Sequence, residues 1–208
     1  VGLSADDRRA ERRELLVDAA FVLLGTEGWS GTTVRAVCQA ARLNPRYFYE
    51  SFDDLDQLVV AVYDRLVTQL GEEVVAAVSA AGDDARAQTR AAIERIVSFV
   101  DEDRRRAKVL YVEALGNEAL NRRRVETAHQ LVMAVEQAGA ERYGPPPQGE
   151  HIGRIAAAVL VGGAGELMVS WLSGGIKVSR RQLIDDATEL FLALGEAAAK
   201  LAANRPPR

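Results

Sequence analysis

Cysteine is nearly absent: Cys38 stands alone among 208 residues, so no disulfide framework can form within the chain. Histidine occurs only twice, and His129 and His151 lie far apart with no cysteine beside either. That removes the clustered ligand sets of zinc sites and the paired nucleophile and base of hydrolases. No G-x-S-x-G, HExxH or P-loop occurs, and Gly162 to Gly165 lacks the lysine and strand context of a phosphate cradle. A non-catalytic chain with no metal and no cofactor is the expectation. There is no signal-peptide pattern and no uninterrupted apolar run long enough to span a bilayer, so a cytoplasmic protein without a membrane partner is expected. Val1 is not an initiator methionine, which leaves room for further residues, a basic arm among them, ahead of it.

What the chain has in quantity is apolar and charged residues, 48% and 27%. At 22.6 kDa that suffices for one compact helical body or two small domains. Net charge is −4 with pI ≈ 5.4, an unfavourable sign for a nucleic-acid partner. The distribution changes the picture. Through Phe52 seven arginines (Arg8, Arg9, Arg12, Arg13, Arg35, Arg42, Arg46) balance seven acids (Asp6, Asp7, Glu11, Glu14, Asp18, Glu27, Glu50), so the N-terminal part is neutral. Four of those arginines crowd a helix start, where the positive dipole end disfavours them. A phosphate is one partner that suits them; a solvated face interleaved with acids is the other.

Thr33 to Phe52 is the stretch with the most specific pattern. Thr33 is a good N-cap, after which Val34, Val37, Cys38 and Ala41 recur at helical spacing on one stripe. Cys38 on that stripe reads as core, since a redox-sensing thiol needs exposure and basic neighbours. Asn44 is a second cap and Pro45 suits the first helical position. Phe48 and Phe52 share the inward face, leaving Arg46, Tyr47, Glu50 and Ser51 outward and Tyr49 on the flank. This is a helix-turn-helix whose second helix carries guanidinium and hydroxyl groups able to read guanine edges or hold phosphate oxygens. Any compact three-helix unit has the same core pattern, with Tyr47 and Tyr49 merely packed at its edge.

Around it, Leu16, Ala19, Ala20 and Leu23 mark a helix from about Arg8 to Glu27, closed by Gly28. Asp53 or Asp54 can cap a long helix carrying Leu55, Leu58, Val59, Val62 and Leu66 to about Ala80. Further helices follow: one after Asp83 or Asp84 with Ile93, Ile96, Val97 and Val100, one over 105–115 with Val109, Leu110 and Val112, and one over 118–142 with Leu120, Leu131, Val132 and Val135. The run 143–149, rich in proline and glycine, is a loop. Ile152 to Leu172 is apolar nearly all round, with glycines in its middle that should cost roughly 1 kcal/mol each, offset by close helix approach or a local distortion. A helix greasy on every side must be buried on every side. One chain this small covers only part of it, so a second copy is expected to pack there with the helix bearing Leu183, Ile184, Ala187, Leu190, Phe191 and Leu194. A monomeric core is the plainer alternative.

The chain resembles the TetR family of bacterial transcriptional regulators over roughly residues 8 to 66. Gly28-Trp29, Thr33-Val34-Arg35 and the Phe-Tyr-x-x-Phe of Phe48 to Phe52 carry the resemblance. It implies that Thr33 and Tyr49 bind phosphates, that Arg35, Arg46 and Tyr47 lie at base edges, and that Pro45 and Ser51 occupy positions that also touch DNA. Two positions depart from the pattern. Leu55 replaces a phosphate-binding lysine, and Arg42 replaces a turn glycine, where a positive φ costs about 1 kcal/mol and its charge can reach a phosphate.

The expected architecture is therefore all-α with about nine helices: a three-helix DNA-binding head over 1–54 and a helical effector-binding and dimerisation domain over 55–208. The resemblance implies an effector pocket, for which Phe99, Tyr111, Leu115, Met168 and Trp171 are candidate walls, or else simply core. Ile155, Val159, Gly162, Gly163, Leu190 and Leu194 are the candidate dimer contacts. The expected function is a homodimeric regulator, a repressor released from a palindromic double-stranded operator by a small, largely apolar effector. A helical scaffold whose basic N-terminus contacts a protein is the alternative.

Overall fold

A computed structural model describes residues 4–144 and 151–204, and every described element is helical. The chain runs α1 (Ala5–Thr26), α2 (Gly28–Gly31), α3 (Val34–Ala41), α4 (Pro45–Tyr49), α5 (Leu55–Ala80), α6 (Ala85–Glu102), α7 (Arg104–Ala107), a π-helical segment (Lys108–Glu113), α8 (Ala114–Gly116), α9 (Glu118–Tyr143), α10 (Ile152–Leu172) and α11 (Arg180–Ala203). The loop expected over 143–149 lies mostly outside the described residues; Tyr143 ends α9 and Gly144 has φ 89°. The elements beyond the expected nine are short ones: α2, and the division of 104–116 into α, π and α.

Two compact units form. The first comprises 1–69 with 103–124, the second 70–102 with 125–208.

In the first unit α1 opens with a capping box, Asp7 N–H donating to Ser4 Oγ and Ser4 N–H to Asp7 Oδ2, each at 3.0 Å. Those hydrogen bonds hold the Asp7 carboxyl below its ordinary range. Leu16, Ala20 and Leu24 of α1, Val37 of α3, Phe48 of α4 and Leu58, Val59 and Val62 of α5 are fully buried and make the core. Losing a ring such as Phe48 from such a core typically costs 3–5 kcal/mol, about 4 here by analogy. Asp54 Oδ1 accepts from Gln57 N–H at 2.8 Å and starts α5, as the sequence suggests. Cys38 is buried, which pushes its thiol up and keeps it protonated.

The segment 104–116 departs from the single α-helix expected over 105–115. Asp103 caps it, its carboxyl held low by the Arg105 guanidinium. From Lys108 the hydrogen bonding widens to π spacing, which inserts an extra residue and rotates the phase of everything after it. Val109 and Leu110 are therefore buried while Val112 is turned out. Gly25 permits this helix to lie close to α1: a Cβ there would stand 2.5 Å from Arg105 Cβ.

In the second unit α6 packs on α11, and α10 packs on both. Ile93, Val97, Phe99, Val100, Ala156, Ala157, Met168, Leu183, Ile184 and Ala187 are buried. Arg90 with Asp185, and Arg86 with Glu189, tie α6 to α11 at the rim. Leu190 does not join this core; with Ile155, Val159 and Leu201 it is more than half exposed. Gly162 and Gly163 bring no close approach among the described residues either, because nothing there lies within 4 Å of a Cβ placed at them, and the helix runs through them as α. By length and composition α10 is apolar enough to cross a bilayer, although Arg154 and Glu166 interrupt its apolar run, as the sequence shows. Within this unit one side of it serves α6 and α11, Arg154 reaches Glu136 of α9 at 2.8 Å, and Ile155 and Val159 are exposed.

Candidate nucleic-acid interface

The turn between α3 and α4 is built from local chemistry. Thr33 Oγ1 accepts from Ala36 N–H at 3.1 Å, so its own O–H stays available to an outside acceptor. At the other end Arg42 adopts φ 55°, ψ 39°, and the amides of Arg42 and Leu43 close on Gln39 O and Cys38 O at 3.2 and 2.9 Å. The left-handed arginine anticipated from sequence is present, with its side chain exposed. Asn44 Oδ1 then accepts from Arg46 N–H at 2.9 Å, and Pro45 begins α4.

On this frame Thr33, Arg35, Arg42, Pro45, Arg46 and Tyr49 are exposed together on one head. Tyr49 is 62% exposed, its ring set edge-on to Phe48 with centroids 5.2 Å apart. The outward set differs from the helical-wheel expectation, because α4 has only five residues and its end packs against α1. Tyr47 is half-buried beneath the Arg12 guanidinium, 4.5 Å from its ring centroid. Glu50 is half-buried too, and Ser51 turns its Oγ into an enclosed position without a protein hydrogen-bond partner. Ser51 and Phe52 line an open groove of about 600 Å³ between α1 and α5, with Arg13, Gln57 and Arg65 on its walls.

Four residues outside the expected site, Glu50, Arg12, Glu113 and Lys108, shape this head. Glu50 accepts Arg46 Nε at 3.1 Å on one carboxylate oxygen and faces Arg12 at 3.5 Å on the other, while its backbone carbonyl accepts from Arg9. Arg12 thus touches both Tyr47 and Glu50; its place in an arginine-rich helix start was the available signal. Glu113, from the π segment, accepts Trp29 N–H at 2.7 Å and thereby fills the N-terminus of α2. Lys108 steadies the same corner, donating to Thr26 O at 3.1 Å. No local pattern could have announced Glu113, since 84 positions separate it from Trp29.

The candidate effector residues are divided between the units. Phe99 and Met168 are buried in the second, and Trp171 Nε1 donates to Val178 O at 3.1 Å. Met168 borders an apolar cavity of about 20 Å³ with Ile93, Ile96 and Phe191, enough for a water and far below a drug-sized ligand. In the first unit Leu115 is 67% exposed. Burial pushes the Tyr111 hydroxyl up to about 12, with Tyr63 adding to the shift, so it is an uncharged polar group at any ordinary pH. Among the described residues no cluster of histidine, cysteine and carboxylates is placed to hold a metal.

Comparison with known proteins agrees with the geometry. Residues 16–62 match the family model described as bacterial regulatory proteins, tetR family. The HTH-type transcriptional regulator BetI of Rhizobium meliloti (strain 1021) is 29% identical over 154 residues, 73% of this chain and 75% of that protein. Solved structures share the fold, two of which illustrate the likeness. The fatty acid degradation regulator FadR from Bacillus halodurans superposes with TM-score 0.72 at 15% identity, over 87% of this chain and 94% of that one. A TetR-like transcriptional regulator from Rhodococcus sp. RHA1 does so with TM-score 0.59 at 22% identity, over 98% and 100%.

Proposed function

We propose that this chain, a TetR-family protein through its residues 16–62, is a homodimeric, sequence-specific DNA-binding regulator that represses by occluding a palindromic operator. The observation that carries the reading is the exposed α3–α4 surface, on which Arg35 and Arg46 stand beside Thr33 and Tyr49. Thr33 and Tyr49 contact phosphates; Arg35, Arg46 and Tyr47 reach base edges; Arg42 and Pro45 lie along the backbone, and Ser51, its Oγ turned inward, approaches it through its main chain. Tyr47 must slide from under Arg12 to do so. Functionally the head is 1–54 and the remainder, 55–208, receives the effector and the second copy.

Dimerisation uses the uncovered sides of α10 and α11. Ile155, Val159 and Leu190 are exposed there beside Gly162, Gly163 and the half-buried Leu194, a patch that water disfavours and a two-fold copy would cover. Burial against a second copy also accounts for α10's hydropathy without a membrane, in keeping with a cytoplasmic protein. A small, largely apolar effector then shifts the pair between DNA-competent and released states. The Bacillus halodurans neighbour, a regulator of fatty acid degradation, supports an apolar ligand class.

Gel shifts on DNA upstream of the chain's own gene, with random competitor present, test the proposal. A competitor-resistant complex at low salt is expected. If only competitor-sensitive binding or none is found, the regulator reading fails and the scaffold alternative takes its place.

A further inference from the structure

The arginines beside the reading helix are not free; they converge on Glu50. Its Oε1 takes Arg46 at 3.1 Å, its Oε2 faces Arg12 at 3.5 Å, and its main-chain carbonyl accepts from the Arg9 guanidinium. Three of the seven cations of this neutral head are thus gathered by one residue, which joins α1 to the end of α4. The Glu50 side chain is 34% exposed, against 83% for Arg46, so the cluster opens on the same side as the reading residue.

We propose that Glu50 is a built-in stand-in for a DNA phosphate: in the free protein its carboxylate occupies the anion site that Arg12 and Arg46 form, and in the complex a backbone phosphate takes over Arg12 while Arg46 is released to a base edge. The inference rests on the regulator reading above and adds Arg12 to the DNA-contacting set. A carboxylate and a phosphate present similar paired oxygens to guanidinium groups, so one can exchange for the other. The exchange costs affinity on every sequence equally, because the internal ion pairs must open and the carboxylate then lies near the phosphate. Arg46 makes up that loss only where a matching base edge receives it. Glu50 therefore suppresses random binding without touching a base.

The test is fluorescence-anisotropy titration of the full-length protein with a random-sequence duplex across a salt series. Glu50→Gln keeps the shape and removes the charge. It should bind random duplex about three- to tenfold more tightly at 0.1 M salt, with a slope of log K against log salt steeper by about one. In the wild-type background Arg12→Gln should make that slope shallower by about one. Random-duplex affinity and slope unchanged or weakened in Glu50→Gln would overturn the proposal. An unchanged slope in Arg12→Gln would overturn it independently, even were the Glu50 variant to fold poorly. Failure of the regulator reading shows separately, as the lack of a competitor-resistant complex in the wild type.

Discussion

Replacing Gly28 by alanine should loosen the head at a corner distant in sequence from the reading helix. Gly28 has φ +75°, and a Cβ added there would stand 3.0 Å from Glu113 Oε1 and 3.1 Å from Oε2. Holding alanine in the left-handed region costs about 1–2 kcal/mol. Moving the Glu113 carboxylate aside breaks its bond to Trp29 N–H, a charge-assisted bond to a group only 14% exposed, worth about 1.5–3 kcal/mol. Partial relaxation of the glutamate keeps the total to about 2–4 kcal/mol. Urea unfolding monitored by Trp29 fluorescence, in a Trp171→Phe background so that one indole reports, should show the midpoint falling by about 1–2 M for a slope near 2 kcal/mol per M. Glu113→Ala alone should lose only the bond, and the double variant should fall short of the summed single losses by about 1.5 kcal/mol, because both remove the same bond. A loss under about 0.5 kcal/mol for Gly28→Ala, or strict additivity, would refute the account of this corner.

Other outcomes follow from the same geometry. Arg46→Ala should cost about 1–3 kcal/mol on the operator and much less on random duplex, whereas Tyr49→Phe should weaken both alike; competition gel shifts distinguish the two, and equal losses for Arg46→Ala would contradict a base-reading role. Val159→Arg places a cation in the apolar patch of α10 and should raise the dimer dissociation constant at least about a hundredfold, read by sedimentation velocity; an unchanged dimer would move the interface elsewhere. Tyr111 binds its proton more tightly folded than unfolded, so its contribution is complete below about pH 10 and is lost as pH rises toward 12. Two pKa steps correspond to about 2.7 kcal/mol, and Tyr111→Phe should flatten the fall of stability over that window in denaturation measured at intervals from pH 9 to 12.

Much of the head was legible without coordinates because its devices are short-range. The Thr33 and Asn44 caps, Pro45 at the first helical position and the buried Phe48 each depend on residues at most four apart, and each is found where spacing places it. Helix faces were less legible. Glu50 and Ser51, outward on a helical wheel, turn inward because α4 is five residues long and α1 lies across its end. In the body, the apolar character of α10 was plain from composition, while the phase of 104–116 was not, since a π segment leaves no mark in a hydrophobic pattern.

The amino-acid sequence by itself determined the helices, their caps, the left-handed turn at Arg42 and the stripes that meet in each core, because capping and amphipathic burial act over one or two turns of chain. Tertiary structure alone decided which charges face which. Arg9 and Arg12 reach Glu50 across some forty positions, and Glu113 reaches Trp29 across 84. Such pairings depend on how α1, the end of α4 and the π segment cross in space, and an ion pair in water is too weak to be written into a local pattern. The reading surface is therefore encoded locally, and the restraint on it is a product of packing.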